Sequence, residues 1–174
     1  MPRDLHRAEA PLDPQAAPLT TPETTPETAP EAIRRRGLEA WVRALETLSP
    51  ERLDDLRALA TPGVRFADPF VQVEGIEALI GLFRRMFRSL KAVRYHIDDV
   101  ALSPQAGYLR WTFTCTLGPL GIPVRIAGLS EVGLDADGRV TLHRDTWDSV
   151  SELYLKVPVV GPWLRRQIAR AMGA

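Results

Sequence analysis

IEALIGLFRRMFRSL, residues 76–90, runs into KAVRYHIDDVALSPQAGYLRWTFTCTL, residues 91–117, and the hydrophobic period changes between them. In the first stretch Ile76, Leu79, Ile80, Phe83, Phe87 and Leu90 recur every three or four residues, and Arg84, Arg85 and Arg88 fall between them. That is the pattern of an amphipathic helix with its arginines in water. From Val93 onward the period is two, the pattern of strands. Four consecutive strands are expected, at 93–103, 107–117, 123–134 and 139–147. Ser103-Pro104 and Asp135-Ala136-Asp137-Gly138 are turn signals between them. The first strand changes phase: Val93, Tyr95 and Ile97 alternate, then Val100 and Leu102 do. Asp98-Asp99 therefore reads as a β-bulge that bends the strand.

Upstream of the helix the pattern is again helical. Leu38, Trp41, Val42, Leu45 and Leu48 define one face, and Glu39 and Arg43 form an i,i+4 pair on the other. Ser49-Pro50 reads as cap and first residue of a short second helix carrying Leu53, Leu56 and Leu59, which Thr61-Pro62-Gly63 stops. Val64 to Phe66 makes a brief strand, broken at Asp68-Pro69. Three helices followed by an antiparallel meander define an α+β layer fold. A curved sheet wrapped around helices makes a cone with an open end.

The two ends read differently from this domain, which is placed at 31–150. Residues 1–30 hold seven prolines and the echo Thr21-Pro22-Glu23-Thr24, Thr25-Pro26-Glu27-Thr28. So few large apolar groups cannot offset ordering entropy, and a disordered tail is expected. Residues 151–174 carry Leu153, Leu155, Val157, Trp163, Leu164 and Ile168 with a basic strip of Arg165, Arg166 and Arg170. An amphipathic helical extension is expected there. It packs over the cone, lies on a membrane surface, or forms a dimer seam; the three readings stay open.

Composition narrows the function. The 174 residues carry 22 basic and 22 acidic side chains, so no basic excess points to nucleic acid. No apolar run reaches the length of a membrane span or a signal peptide, and the single cysteine suits a reducing compartment; a cytoplasmic protein is expected. The three histidines, His6, His96 and His143, do not pair at ligand spacing, and no Gly-rich phosphate loop follows a strand, so neither metal nor cofactor is expected. Cys115 reads as a small buried hydrophobe.

Two carboxylates stand out. Asp145 shares a strand face with His143 and Trp147, an unusual setting for plain solvent-facing sheet; its bland reading is a cross-strand ion pair with Arg110. Asp68 precedes Pro69, where a carboxylate often only caps a turn.

Phe66-Ala67-Asp68-Pro69-Phe70, then Gly75, the helix, and a meander closing on His143-Arg144-Asp145-Thr146-Trp147-Asp148 resemble the nuclear transport factor 2-like superfamily, most of all its SnoaL-like branch. The likeness covers Ala32 to Asp148, and Leu153-Tyr154, Pro158 and Gly161 extend it. It implies a cone-shaped fold, a homodimer, and a pocket between helices and concave sheet. Among ketosteroid isomerases it implies Asp68 as general base, while the places of the two oxyanion donors hold residues on or near Ala44 (with Trp41 one turn earlier) and Ser130. Among limonene-epoxide hydrolases it implies Asp145 as the water-activating base and Arg110 as its orienter; Thr112 stands where the acid would be, and Asp68 where an asparagine positions water. Alternation alone buries the face of Leu109, Trp111, Phe113 and Cys115, whereas the resemblance turns Arg110 inward. Both hold if the Trp111 face packs on a second subunit.

Two functions are therefore expected. The first is cofactor-free acid/base chemistry on a small hydrophobic molecule by Asp68, Asp145 and Arg110, with Trp41, Ser130, His143 and Trp147 lining the pocket. The second is a non-catalytic module that binds a ligand or a protein.

Overall fold

The structure, a computed structural model, describes residues 28–117 and 121–148. The expected tail, apart from its last residues, and the expected C-terminal extension lie outside the described residues. Helix α1 spans Ala29–Glu46, so order begins two residues before Glu31. The reason is local: the Thr28 hydroxyl accepts the Glu31 N–H at 3.4 Å, and Pro30 occupies the first turn, where a missing N–H costs nothing. Its buried face carries Leu38, Trp41, Ala44 and Leu45.

The second helix is a 3-10 segment, Pro50–Asp55, continued by one turn of α2, Leu56–Leu59. Ser49 is extended but makes no side-chain cap bond. Leu53 and Leu56 are fully buried. Thr61-Pro62-Gly63 do not end in a turn, as expected, but lie inside strand β1, Ala60–Ala67. The register between β1 and its neighbour shifts between Ala60 and Arg65, and that irregularity absorbs the proline. A short strand β2, Gln72–Glu74, folds back on β1 and leads into α3, Ile76–Ser89. The meander follows as β3 (Leu90–Leu102), β4 (Gly107–Leu117), β5 (Ile122–Leu134) and β6 (Val140–Trp147), each within three residues of expectation at either end.

The sheet order is β2-β1-β6-β5-β4-β3. The meander is antiparallel, but β1 pairs with β6 in parallel, so the sheet is mixed and not antiparallel throughout. Such a pairing is non-local and leaves no hairpin signal in the sequence. The expected bulge is present: Ile97 pairs with Trp111 and Asp99 with Arg110, leaving Asp98 extra. A second shift lies between Lys91 and Arg94, where Ala92 takes φ +50°. The helices cover one face of the sheet, where Leu109, Val132, Val140, Val64 and Phe66 meet Leu38, Trp41, Leu79, Ile80 and Phe83. No helix among the described residues is long and apolar enough to cross a membrane.

Candidate functional site

Between α3 and the inner face of the sheet lies a cavity of about 320 Å³, at the small end of ligand-sized pockets. Helix α3 contributes Leu82, Phe83 and Met86; β4 contributes Trp111, Phe113 and Cys115; β5 contributes Val124 and Ile126. Into this apolar lining come two carboxylates, Asp68 and Asp145, and one phenol, Tyr95. The parallel pairing brings the acids together. Ala67 registers with Arg144, so Asp68, just past the end of β1, comes next to Asp145 on β6.

Asp145 anchors a buried chain of hydrogen bonds. The Trp41 indole N–H donates to His143 Nδ1 at 2.9 Å. Since Nδ1 accepts, the proton of the neutral ring is on Nε2, which donates to Asp145 Oδ1 at 2.8 Å. From the other side Trp111 Nε1 donates to Ser130 Oγ at 2.7 Å, and that hydroxyl donates to the same Oδ1 at 2.5 Å. Ser130 is the register partner of Asp145 on β5. Both arms end on one oxygen. No buried side-chain oxygen or nitrogen among the described residues lacks a hydrogen-bond partner. Asp145 is only 7% exposed, its Oδ2 takes none of these bonds, and the residue lines the cavity. The His143 ring is further fixed by stacking on Phe66, centroids 5.5 Å apart.

Asp68 is held differently. Its Oδ1 accepts the backbone N–H groups of Phe70 and Val71, both at 2.7 Å. The turn-capping reading of Asp-Pro is therefore correct for one oxygen, and the residue lines the cavity as well. Near it Phe70 and Trp147 meet edge to face, 5.2 Å between centroids.

Tyr95, on β3, is a site residue the sequence reading passed over as one apolar residue in an alternating run. Its ring is held by Trp111 and Phe113, with centroids at 5.8 and 4.9 Å. Burial, reinforced by the charges of Asp145 and Asp68, pushes its phenol well above the ordinary value. It remains a hydrogen-bond donor. Burial also pushes the Cys115 thiol up, which keeps it a poor nucleophile.

Of the expected site, Asp145, Asp68 and Trp147 line the cavity; Trp41, His143 and Ser130 stand behind it as the hydrogen-bonded support of Asp145 rather than as lining. Arg110 is a correction. It is exposed on the outer face of β4, opposite Leu129, while Trp111, Phe113 and Cys115 face the cavity. The physical reason is the plain alternation of the strand: the apolar face is buried by the helices of its own chain, with no second subunit needed. Arg110 thus neither pairs with Asp145 nor enters the site, and Thr112, on the same outer face, meets Asp98 at 3.2 Å instead. Ala44, at the place of an oxyanion tyrosine, is a buried core residue.

A profile of the SnoaL-like domain matches residues 38–143, more than half of the chain. No curated protein matches it. Among solved structures, a SnoaL-like protein of polyketide cyclase type from Jannaschia sp. CCS1 is 18% identical, with 74% of this chain and 92% of that one covered and a TM-score of 0.61. An LEH-like epoxide hydrolase from M. tuberculosis is 23% identical over 82% of this chain and 98% of the other, TM-score 0.58. An NTF2-like protein of unknown function from Exiguobacterium sp. 255-15 is 18% identical over 64% and 98%, TM-score 0.57. At these identities the likeness is one of fold, and fold does not choose among chemistries. The profile match over more than half the chain, together with the helices, mixed sheet and cavity just described, places this chain in the SnoaL-like domain family of the nuclear transport factor 2-like fold.

Proposed function

We propose that the chain is a cofactor-independent enzyme that moves a proton on a small, mainly apolar molecule held in the cavity, with Asp145 as the base. One observation carries this reading: Asp145 lines an apolar cavity with one oxygen fixed by two neutral donors and the other outside those bonds. A surface carboxylate has no need of such support. A general base must be oriented and must keep a lone pair available to substrate. His143, held in one tautomer by Trp41, and Ser130, held by Trp111, orient the carboxylate. Tyr95 lines the same cavity as a neutral donor for an oxygen on which charge develops. Asp68 adds a second acid at the end of the neighbouring strand.

The epoxide-hydrolase arrangement supports this only in part, because Arg110 and Thr112 lie on the outer face and no acid replaces them there. A second reading, ligand binding without catalysis, is favoured by that same loss. The two separate in one experiment. Wild type and Asp145→Asn are incubated in D2O with a panel of small ketones, and separately in water with small epoxides. Deuterium incorporation and diol formation are followed by NMR. The catalytic reading expects turnover on at least one arm, reduced about 10²- to 10⁴-fold in Asp145→Asn. Binding without turnover on either arm, or turnover that survives in Asp145→Asn, sinks it. The protein is further proposed to work as a homodimer in the cytoplasm, without metal or cofactor.

A further inference from the structure

The cavity has a charge imbalance that the proton-transfer reading does not use. Among the described residues, its lining includes two carboxylates and seven aromatic rings, with no lysine, arginine or histidine. The groups that hold the carboxylates are all uncharged. Asp145 takes a serine hydroxyl and an imidazole whose Nδ1 is occupied by the Trp41 N–H, and Asp68 takes two backbone amides. Among the described residues no cation of the site cancels either negative charge. Asp145 is more than nine-tenths buried, it lines the cavity, and its Oδ2 takes none of these bonds.

We propose that this cavity takes a cationic ligand, a protonated or quaternary amine on a small apolar body, with its head between Asp68, Asp145 and the ring of Trp147. The inference concerns the same site as the proposed function and rests on that reading's premise that the cavity takes a small molecule. Three terms point the same way. A carboxylate oxygen brought out of water with no partner is costly, and a neutral apolar ligand would leave it so. An anionic ligand would add repulsion in a poorly screened volume. A cation gains from both acids and from the electron-rich faces of the surrounding rings, an attraction that grows as the site dries. The parallel β1–β6 pairing brings Asp68, just past β1, next to Asp145 on β6, and Trp147 is two residues beyond Asp145 on the same face.

The test uses the full chain and three probes of one size: benzyltrimethylammonium, benzyl alcohol and benzoate. Binding is read by tryptophan fluorescence and calorimetry. The ammonium should bind at least about tenfold tighter than the alcohol, and benzoate weakest of all. Asp68→Asn keeps an oxygen for the Phe70 and Val71 amides, so the turn should survive, while the ammonium loses most of its advantage and the alcohol does not change. Trp147→Leu is the second variant and should also weaken the ammonium more than the alcohol. Benzoate or alcohol binding as well as ammonium, an ammonium preference that survives both variants, or no binding by any probe overturns the proposal. Isotope exchange on uncharged ketones without ammonium preference would remove the ligand class alone. Ammonium preference without turnover on either arm would remove the catalytic reading alone.

Discussion

One oxygen of Asp145 collects hydrogen bonds from two sides, from His143 behind Trp41 and from Ser130 behind Trp111. The residue's shared strand face with His143 and Trp147 was legible from alternation, but the hydrogen-bonded chain through Trp41 and Trp111 was not. Trp41 and His143 are 102 residues apart, and nothing local in the sequence marks a contact at that distance. Tyr95 was missed because a tyrosine in an alternating apolar run reads as core, and only the structure shows two acids near its hydroxyl. That surrounding gives a pH prediction. The folded phenol keeps its proton above its ordinary value of 10.0. Below that value the unfolded chain is protonated too, and the stabilising contribution is complete. As pH rises beyond it, the unfolded chain loses a proton that the folded chain retains, so stability falls toward the folded value. In an alkaline titration of phenolate absorbance, one of the three tyrosines should therefore ionise later than an exposed tyrosine does. Tyr95→Phe should remove that late component. An unchanged curve in the variant would show that Tyr95 is open to water.

At the scale of elements, the helices and the meander were legible because each carries its own period. What was not legible depends on contacts between distant segments. Proline and glycine at 62 and 63 look like a stop signal, yet β1 continues through them because an irregularity in its parallel pairing with β6 accommodates both. Without that pairing Asp68 could not stand beside Asp145. The docking of α1 shows how tightly such contacts are set. Gly37 faces Gly138, the turn residue between β5 and β6 with φ +79°, and a Cβ at Gly37 would overlap the Gly138 carbonyl. A Cβ built at Gly138 would in turn lie 2.8 Å from the Ile33 carbonyl, so helix and turn meet backbone against backbone. Gly37→Ala would raise helix propensity by about 1 kcal/mol in isolation. Here it must push α1 off the turn, and overpacking of this kind costs about 1–3 kcal/mol or more. A net loss is expected, seen as a lower urea midpoint. Since Trp41 lies one turn further along α1, the His143 bond should loosen with it. A variant as stable as wild type would show that α1 is free to shift.

At the scale of the whole molecule, the orientation of β4 decides which surface is available for assembly. With Trp111 turned to the cavity, a dimer does not form over the Trp111 face, and the proposed homodimer is expected to use the other side of the sheet. That outer face carries Tyr108 and Leu129, 45% and 56% exposed, beside Arg110 and an exposed Arg144–Glu131 pair at 3.1 Å. An apolar centre rimmed by charge is the usual make-up of a subunit contact, since its core is depleted in charged groups. Two substitutions on adjacent strands should then behave oppositely. Leu129→Glu puts a charge on the outer face, where a monomer would solvate it. The variant should keep its melting behaviour at low concentration, keep its cavity, and sediment at half the wild-type mass. Trp111→Glu places a charge among buried rings and removes the donor that holds Ser130 against Asp145. An unpaired buried charge costs about 3–5 kcal/mol, so this variant should lose cooperative unfolding rather than only its partner. A folded, monomeric Trp111→Glu would return Trp111 to an interface and Arg110 to the site. A wild type that sediments as a monomer at all concentrations would remove the dimer, and leave the cavity to a single chain.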